Sequence, residues 1–185
     1  RVLPNRERAS DIVLALGRSF FQKNFKQTLA GWQKLGSRRP RLLLYGIEAD
    51  MSKLDERITY IHKPTDAEVN ELYNRSTIFV QTSYHEGFSL PIMQAMAAGC
   101  PVICTDAHGN RGFCYNNKNC LMVNKDDVGG LSQKIERLMT DERLRNKLAR
   151  AGLKTAKDYT WEVIAKRLDL FILSLLVGIY CGSSG

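Results

Sequence analysis

The sequence predicts an α/β fold in which an open parallel sheet is covered by helices on both faces. Short apolar runs with strand character alternate with longer helix-like stretches, and this alternation favours parallel strands joined by helices. The runs are continuously apolar, as expected of strands that are buried on both faces. Six runs are assigned to strands: Ile12–Leu16, Arg41–Tyr45, Ile58–Ile61, Ile78–Gln81, Pro101–Thr105 and Cys120–Val123.

Helices are assigned to the stretches between and after these strands. They are Asn24–Leu35, Asp66–Arg75, Leu90–Ala98, Asp126–Met139, Asp141–Asp158 and Trp161–Phe171. We predict one domain over residues 1–171, closed by helices at about 126–171, and an apolar tail over 172–185 that ends in a linker or truncation scar. Because the chain begins at Arg1 and not at Met, we interpret it as a piece of a longer protein.

The composition is that of a globular domain. Of the 185 residues, 44% are hydrophobic and 25% are charged, which excludes a disordered tail, a collagen-like fibre and a coiled coil. The 27 Lys and Arg against 19 Asp and Glu give a net charge of +8. This charge suits nucleic acid, a phosphate-bearing ligand or an anionic membrane surface, and it does not choose among them. No run of 18 apolar residues occurs, so no transmembrane helix is predicted.

The cysteines are expected to be reduced thiols in a cytoplasmic protein. None of the five lies in a Cys-x-x-Cys pair, and no signal peptide opens the chain. The spacing of Cys100, Cys104, Cys114 and Cys120 does not match the usual zinc-ligand pairs. We therefore expect small buried apolar residues rather than a metal site.

Ligand chemistry is expected just beyond the carboxyl ends of the strands. Residues 84–106 place a Gly- and Ser-containing turn between a strand and a helix that Ser89 caps, with Pro91 in its first turn and Gly99 at its end. The free N–H groups of such a helix N-terminus bind an anion. Glu86 and Gln94 would face that anion, and their side chains suit the hydroxyl groups of a sugar and a ribose.

This segment closely resembles the donor-site signature of retaining GT-B glycosyltransferases, glycosyltransferase family 4. The matching residues are Glu86-Gly87-Phe88-Ser89-Leu90-Pro91 and Ala95-Met96-Ala97-Ala98-Gly99-Cys100-Pro101-Val102. The resemblance extends over about residues 11–171 and is limited to the C-terminal, Rossmann-like half that binds the nucleotide sugar. It implies that the N-terminal half, which binds the acceptor, is a partner outside this sequence.

The resemblance also implies roles for individual residues. Glu86 would be the catalytic residue, and the donor would be bound by Arg18, Lys23, Gly87, Phe88, Ser89, Leu90, Gln94 and His62. Two cations such as Arg18 and Lys23, following a strand end, can flank a diphosphate. The base contacts near His62 would come largely from the main chain. His108 is a further candidate for contact with the sugar.

Three features of the sequence qualify this resemblance. Gln94 stands where family members usually have a second Glu, and Asn24 stands where Gly is common. No Asp-x-Asp pair occurs to hold a divalent ion on the diphosphate, so we expect no metal and no cofactor. Arg18, Lys23 and the helix N-terminus would supply the positive field instead.

The sequence therefore predicts the donor half of a retaining, metal-independent, hexosyltransferase-like enzyme of polysaccharide biosynthesis. It would move a sugar from a nucleoside diphosphate to a saccharide or lipid-linked acceptor, either free in the cytoplasm or at the cytoplasmic membrane surface. A non-catalytic nucleotide-sugar-binding relative, which Gln94 favours, and a GT-B type epimerase stay open. The hypothesis of a nucleic-acid-binding module is supported by the net charge alone, and we expect no nucleic acid partner.

Overall fold

Six parallel strands form one sheet in the order β3-β2-β1-β4-β5-β6. The computed structural model of the protein describes residues 11–48 and 55–182, with side chains described as far as residue 176. The strands are β1 (Ile12–Leu16), β2 (Arg41–Gly46), β3 (Ile58–His62), β4 (Ile78–Gln81), β5 (Val102–Cys104) and β6 (Leu121–Met122). The predicted parallel sheet is confirmed, and each strand end lies within one residue of its prediction.

The helices cover both faces of the sheet, as predicted. They are α1 (Phe25–Gln33), α2 (Asp66–Arg75), α3 (Leu90–Ala97), α4 (Val128–Thr140), α5 (Glu142–Lys157) and α6 (Trp161–Gly182). Successive strand side chains point to opposite faces, so alternate residues of β1 enter different layers of the core. Leu14 packs in the layer that contains residues of α2 and α3, whereas Val13 packs in the layer that contains Trp32 of α1 and Leu131 of α4.

The last helix is longer than the sequence predicted. It was expected to end at Phe171 but continues to Gly182, because no proline interrupts this apolar stretch. Most of the predicted tail is therefore helical, while the start at Arg1 and the final residues 183–185 lie outside the described part of the chain. Leu168, Phe171 and Leu175 are exposed on α6. Among the helices of the described residues, none combines the length and the apolar character needed to span a membrane.

Four cysteines are buried as predicted: Cys100, Cys104, Cys114 and Cys120. The sequence spacing did not predict that the sulfur atoms of Cys104, Cys114 and Cys120 lie within 4.8 Å of one another. Hydrogen bonds from the thiols of Cys104 and Cys114 lower the pKa of Cys120. Cys100 lies outside this group, with its sulfur 3.7 Å from the carbonyl oxygen of Ser76.

Candidate functional site

A small crevice, lined in part by Leu16, Lys23 and Gln81, lies where the strand order reverses between β1 and β4. From β1 the chain continues outward to β2 and β3, whereas β4, which pairs with the other side of β1, is followed by β5 and β6. In open parallel sheets, ligands bind outside the carboxyl ends of the strands at such a point. The segments that follow β1 and β4, residues 17–24 and 82–89, therefore form the rim of the candidate site.

Lys23 and Glu86 meet at this crevice, one from each rim segment. The Nζ atom of Lys23 lies 2.8 Å from both carboxylate oxygens of Glu86. Glu86 Oε1 also accepts hydrogen bonds from Gln81 Nε2 at 2.8 Å and from Ser83 Oγ at 2.6 Å. Glu86 is only 9% exposed, so four hydrogen bonds fix a nearly buried carboxylate in one orientation.

Gln81 and Ser83 were not predicted as site residues. Gln81 is the last residue of β4 and follows three apolar residues of that strand, so a polar residue at a strand end was the available signal. Its Nε2 atom also donates to the hydroxyl of Ser89 at 2.9 Å. Gln81 thereby joins the carboxylate of the predicted catalytic residue to the first turn of the following helix.

Left-handed backbone at Asn24 explains one departure from the family pattern. Asn24 has φ 46° and ψ 41° and ends the short 3₁₀ turn Phe21–Lys23 that presents Lys23. Glycine is the usual residue for this conformation, and asparagine tolerates it better than most others. Its amide donates to Gln27 Oε1 at 3.0 Å and to Asp126 Oδ1 at 3.2 Å, which anchors the turn to the start of α1 and to the loop before α4.

The N-terminus of α3 lacks a side-chain cap. Ser89 occupies the predicted N-cap position, but its backbone is left-handed (φ 72°) and its hydroxyl makes no capping hydrogen bond. That hydroxyl accepts from Gln81 instead. Pro91 lies in the first turn, and Gly99, with φ 68°, follows the end of the helix as predicted. The uncapped first turn leaves backbone N–H groups to bind an anion.

Like Lys23, Arg18 lies at the carboxyl ends of the strands. It is partly buried just beyond β1, and its positive charge acts on Tyr45 at the neighbouring end of β2. Burial raises the pKa of Tyr45 to about 12, while the hydrogen bond with Tyr73 and the charge of Arg18 act in the opposite direction. Tyr45 therefore stays a neutral phenol beside the arginine at neutral pH.

Gln94 lies on α3, where it faces α2, and His62 lies at the end of β3. Gln94 is exposed and lines a cleft of about 260 Å³ between α2 and α3, together with Asp66 and Asn70 of α2. His62 ends β3, and its Nδ1 atom lies 2.9 Å from the carbonyl oxygen of Glu48. Because β2 separates β3 from β1, His62 lies on a part of the rim distinct from the Lys23–Glu86 pair, whereas Gln94 lies on the side of α3 that faces α2.

The remaining predicted donor-binding residues lie in the turn that leads into α3. A Cβ added at Gly87 would stand in open space, and Leu90 is exposed. The ring of Phe88 packs 5.0 Å from that of Phe113 and 5.8 Å from that of Tyr159. These ring contacts attach the turn to the loop after β5 and to the end of α5.

The loop after β5 holds the Glu86 turn through its backbone. Glu86 N donates to Ala107 O at 2.9 Å, and Gly109 N donates to Glu86 O at 3.1 Å. The imidazoles of His85 and His108 face each other across this pairing, with 3.2 Å between their Nδ1 atoms. In the same loop, the hydrogen bond from Arg111 lowers the pKa of Asp106. His108, a predicted candidate for sugar contact, thus lies beside the catalytic candidate.

Gly109→Ala should loosen this pairing. A Cβ at Gly109 would stand 2.1 Å from the carbonyl oxygen of Gly87, so one backbone segment must move. Overpacking of this kind costs about 1–3 kcal/mol, and we expect a loss of that size in urea unfolding together with weaker ligand binding. Gly112→Ala in the same loop is the control, because its Cβ would meet only the Tyr159 hydroxyl at 3.8 Å. Equal stability of the two variants would contradict the prediction.

Comparison with known proteins supplies the family. A family model described as glycosyl transferases group 1 matches residues 4–155. The chain is 26% identical over 167 residues to the amylovoran biosynthesis glycosyltransferase AmsD of Erwinia amylovora, covering 86% of this chain and 47% of AmsD. It is 28% identical over 162 residues to an N,N'-diacetylbacillosaminyl-diphospho-undecaprenol alpha-1,3-N-acetylgalactosaminyltransferase of Campylobacter jejuni, covering 84% of this chain and 43% of that protein. The chain thus spans less than half the length of these relatives.

A solved structure of an isolated domain has a similar fold. It is the C-terminal domain of a glycosyl transferase group 1 family protein (LpcC) from Francisella tularensis. The TM-score is 0.66 at 23% sequence identity, and the match covers 80% of this chain and 84% of that domain. At this level of identity the similarity shows the fold.

Proposed function

Because this chain belongs to the glycosyl transferases group 1 family, we propose that it is the donor-binding half of a retaining glycosyltransferase. The observation that supports this most directly is the Lys23–Glu86 pair at the switch point of the sheet, beside the uncapped N-terminus of α3. Cations and free N–H groups close to a fixed carboxylate suit a ligand with a diphosphate joined to a sugar. The match to an isolated C-terminal domain supports the assignment to one half of a longer enzyme.

The proposed donor lies across the crevice, with its diphosphate between Arg18, Lys23 and the first turn of α3. The cleft beside Gln94 takes the nucleoside, where the side-chain amide hydrogen-bonds the ribose hydroxyls. His62 and the main chain at the end of β3 contribute to the site of the base. The sugar then extends toward Glu86 and His108.

Glu86 would act on the sugar through its charge. When the bond to the diphosphate breaks, negative charge grows on the leaving phosphate and positive charge grows on the sugar ring. The negative charge is stabilised by Arg18, Lys23 and the backbone N–H groups of α3. The positive charge on the sugar ring is stabilised by the Glu86 carboxylate. Preorganised charges of this kind need no rearrangement during the reaction. We therefore propose transfer that does not require a divalent metal on the diphosphate.

The acceptor is proposed to be a saccharide or a lipid-linked saccharide. The names of the two relatives place one in amylovoran biosynthesis and give the other a diphospho-undecaprenol acceptor. Both suggest polysaccharide assembly, and we place the transfer at the cytoplasmic face of a membrane if the acceptor is lipid-linked. The acceptor site would belong to an N-terminal domain outside this sequence.

A thermal-shift series tests the donor site. We expect a nucleoside diphosphate to raise the melting temperature without added metal, and binding at a hundredfold excess over Kd stabilises the folded state by about 2.7 kcal/mol. The same shift should remain when a chelator is present. The matching nucleoside and inorganic phosphate are the controls, and each should give a smaller shift. No shift with any common nucleoside diphosphate, or a shift abolished by the chelator, would contradict the proposal.

Gln94→Glu should hold or improve the affinity for a nucleotide sugar. A carboxylate accepts hydrogen bonds from two ribose hydroxyls more strongly than an amide does, by roughly a factor of two in energy per bond. Gln133→Glu, an exposed substitution on α4, is the matched control and should change nothing. Isothermal titration calorimetry measures both affinities. If Gln94→Glu binds the nucleotide sugar tenfold more weakly than the parent, the assignment of Gln94 to the ribose is wrong.

The departure at Gln94 also favours one second candidate, a nucleotide-sugar-binding relative without catalysis. Analysis of the products of the longer protein separates the candidates. Free nucleoside diphosphate with a glycosylated acceptor supports transfer, an epimerised donor supports the epimerase, and an unchanged donor that still binds supports the non-catalytic relative.

A further inference from the structure

Three cysteine sulfurs converge at the carboxyl end of β5. Cys104 ends that strand, Cys120 directly precedes β6, and Cys114 lies in the loop between them. The sulfurs of Cys104 and Cys120 are 4.0 Å apart, and all three lie within 4.8 Å of one another. Three sulfurs bound to one ion at the usual zinc–sulfur length of about 2.3 Å are roughly 3.8–4.0 Å apart. The cluster therefore needs only small side-chain movements to surround a metal ion.

We infer that Cys104, Cys114 and Cys120 form a structural site for a thiophilic metal ion, Zn²⁺ in preference to Cu⁺. The ion would tie the loop between β5 and β6 to the sheet. Part of that loop is residues 107–109, which hold the Glu86 turn. The site is separate from the donor crevice, and the proposed transfer reaction does not use the ion.

The donor set determines the class of ion. Within the described residues, the group consists of thiols alone, with no histidine or carboxylate among its members. Sulfur ligands select zinc and copper(I) over magnesium and calcium, which prefer oxygen. Cys104 and Cys120 are fully buried and Cys114 is 5% exposed. Three thiolates leave one net negative charge with Zn²⁺ and two with Cu⁺, and the smaller buried charge favours zinc, whose fourth tetrahedral position a water molecule would take.

A buried amide supports the cluster from the side. Asn110 is fully buried, and its Nδ2 atom lies 3.7 Å from the sulfur of Cys104 and donates to Thr105 O at 2.8 Å. Its Oδ1 accepts from Ala107 N at 3.1 Å, which fixes the orientation of the amide. A hydrogen bond from a fixed N–H group to a ligand sulfur stabilises the thiolate, as outer groups do around many metal sites.

Metal analysis of the purified chain tests the site. The 185-residue chain carries Cys181→Ser in every variant, so that this thiol does not contribute. After purification under reducing conditions without chelator, we expect inductively coupled plasma mass spectrometry to find one zinc ion per chain. Replacement by Co²⁺ should give a thiolate-to-cobalt charge-transfer absorption whose intensity corresponds to three sulfurs. Zinc and copper are measured together in the chain as purified: zinc without copper supports the stated preference, and stoichiometric copper without zinc would overturn it.

Single substitutions give the decisive comparison. Cys114→Ser, at the most exposed of the three positions, should lower the affinity for Zn²⁺ by more than roughly 100-fold, since even outer-group changes cost 10- to 100-fold. Cys100→Ser replaces a buried cysteine outside the cluster and should bind zinc like the parent. Circular dichroism of the metal-free proteins is the check that both variants fold. If the reduced parent binds neither ion, or if Cys114→Ser binds zinc as tightly as Cys100→Ser does, the site does not exist.

Discussion

Lys23→Gln should weaken the binding of a nucleoside diphosphate by roughly 10- to 150-fold, because a hydrogen bond to a charged group contributes about 1.5–3 kcal/mol. Arg18→Gln should cause a loss of similar size. Lys26→Gln, an exposed change on α1, is the matched control and should leave the affinity unchanged. Isothermal titration calorimetry with the bare nucleoside diphosphate measures all three. If Lys23→Gln and Arg18→Gln both bind like the control, the diphosphate site lies elsewhere.

The two variants should differ in stability, and this difference tests the ion pair separately from the ligand. Lys23→Gln leaves the Glu86 carboxylate, 9% exposed, with Gln81 and Ser83 as neutral donors and without its cation. An uncompensated carboxylate in a nearly buried position lowers the free energy of unfolding. Arg18→Gln removes a partly exposed cation and should leave urea unfolding unchanged. Equal unfolding free energies would show that the Lys23–Glu86 pair contributes nothing to the fold.

The sheet could be predicted from the sequence because buried strands consist almost entirely of apolar residues, which are recognised in the sequence as short apolar runs. Strands such as Ile78–Gln81 are covered on both faces, so nearly every residue in them is apolar and their ends are sharply bounded by turn residues. The order of the strands was not predicted. It follows from long-range pairing such as Val13 with Ile78, which no local pattern encodes.

The site was predicted in part, and the missing parts are those set by tertiary contacts. The resemblance identified Lys23 and Glu86 but not their direct contact, since 63 residues separate them in the chain. Gln81 and Gly109 were not identified, because their roles come from the close approach of neighbouring segments. The substitution of Asn24 for a usual glycine was explained only by its left-handed backbone, which the sequence does not display.

The cysteine cluster also depends on tertiary contacts that the sequence does not display. Metal-ligand motifs are recognised by short spacing, and Cys104, Cys114 and Cys120 are separated by a loop that has no such pattern. Their sulfurs converge because β5 and β6 are neighbours in the sheet and the start of the intervening loop is held by the hydrogen bond from Asn110 Nδ2 to Thr105 O. Expected burial was confirmed, while the convergence required the structure.

Alone, this chain should bind the donor nucleotide sugar and transfer no sugar to an acceptor. In the proposed assignment, the reaction takes place in a cleft between two domains, and the acceptor is held by the other one. Correct positioning of two reactants accounts for about 7–11 kcal/mol of barrier lowering, and half a cleft cannot supply it. An open half also admits water, so slow hydrolysis of the donor is the most that we expect.

The measurement compares the 185-residue chain with the full-length protein, each incubated with the nucleotide sugar and saccharide or lipid-linked acceptors. Calorimetry on the same preparations confirms that both bind the donor, so that an inactive chain is not simply unfolded. Glu86→Gln in the full-length protein is the second control. It should lower transfer far more than binding of the bare nucleoside diphosphate, because Glu86 is assigned to the sugar. Multiple-turnover transfer by the chain alone, at a rate near that of the full-length protein, would show that its own residues complete the active site.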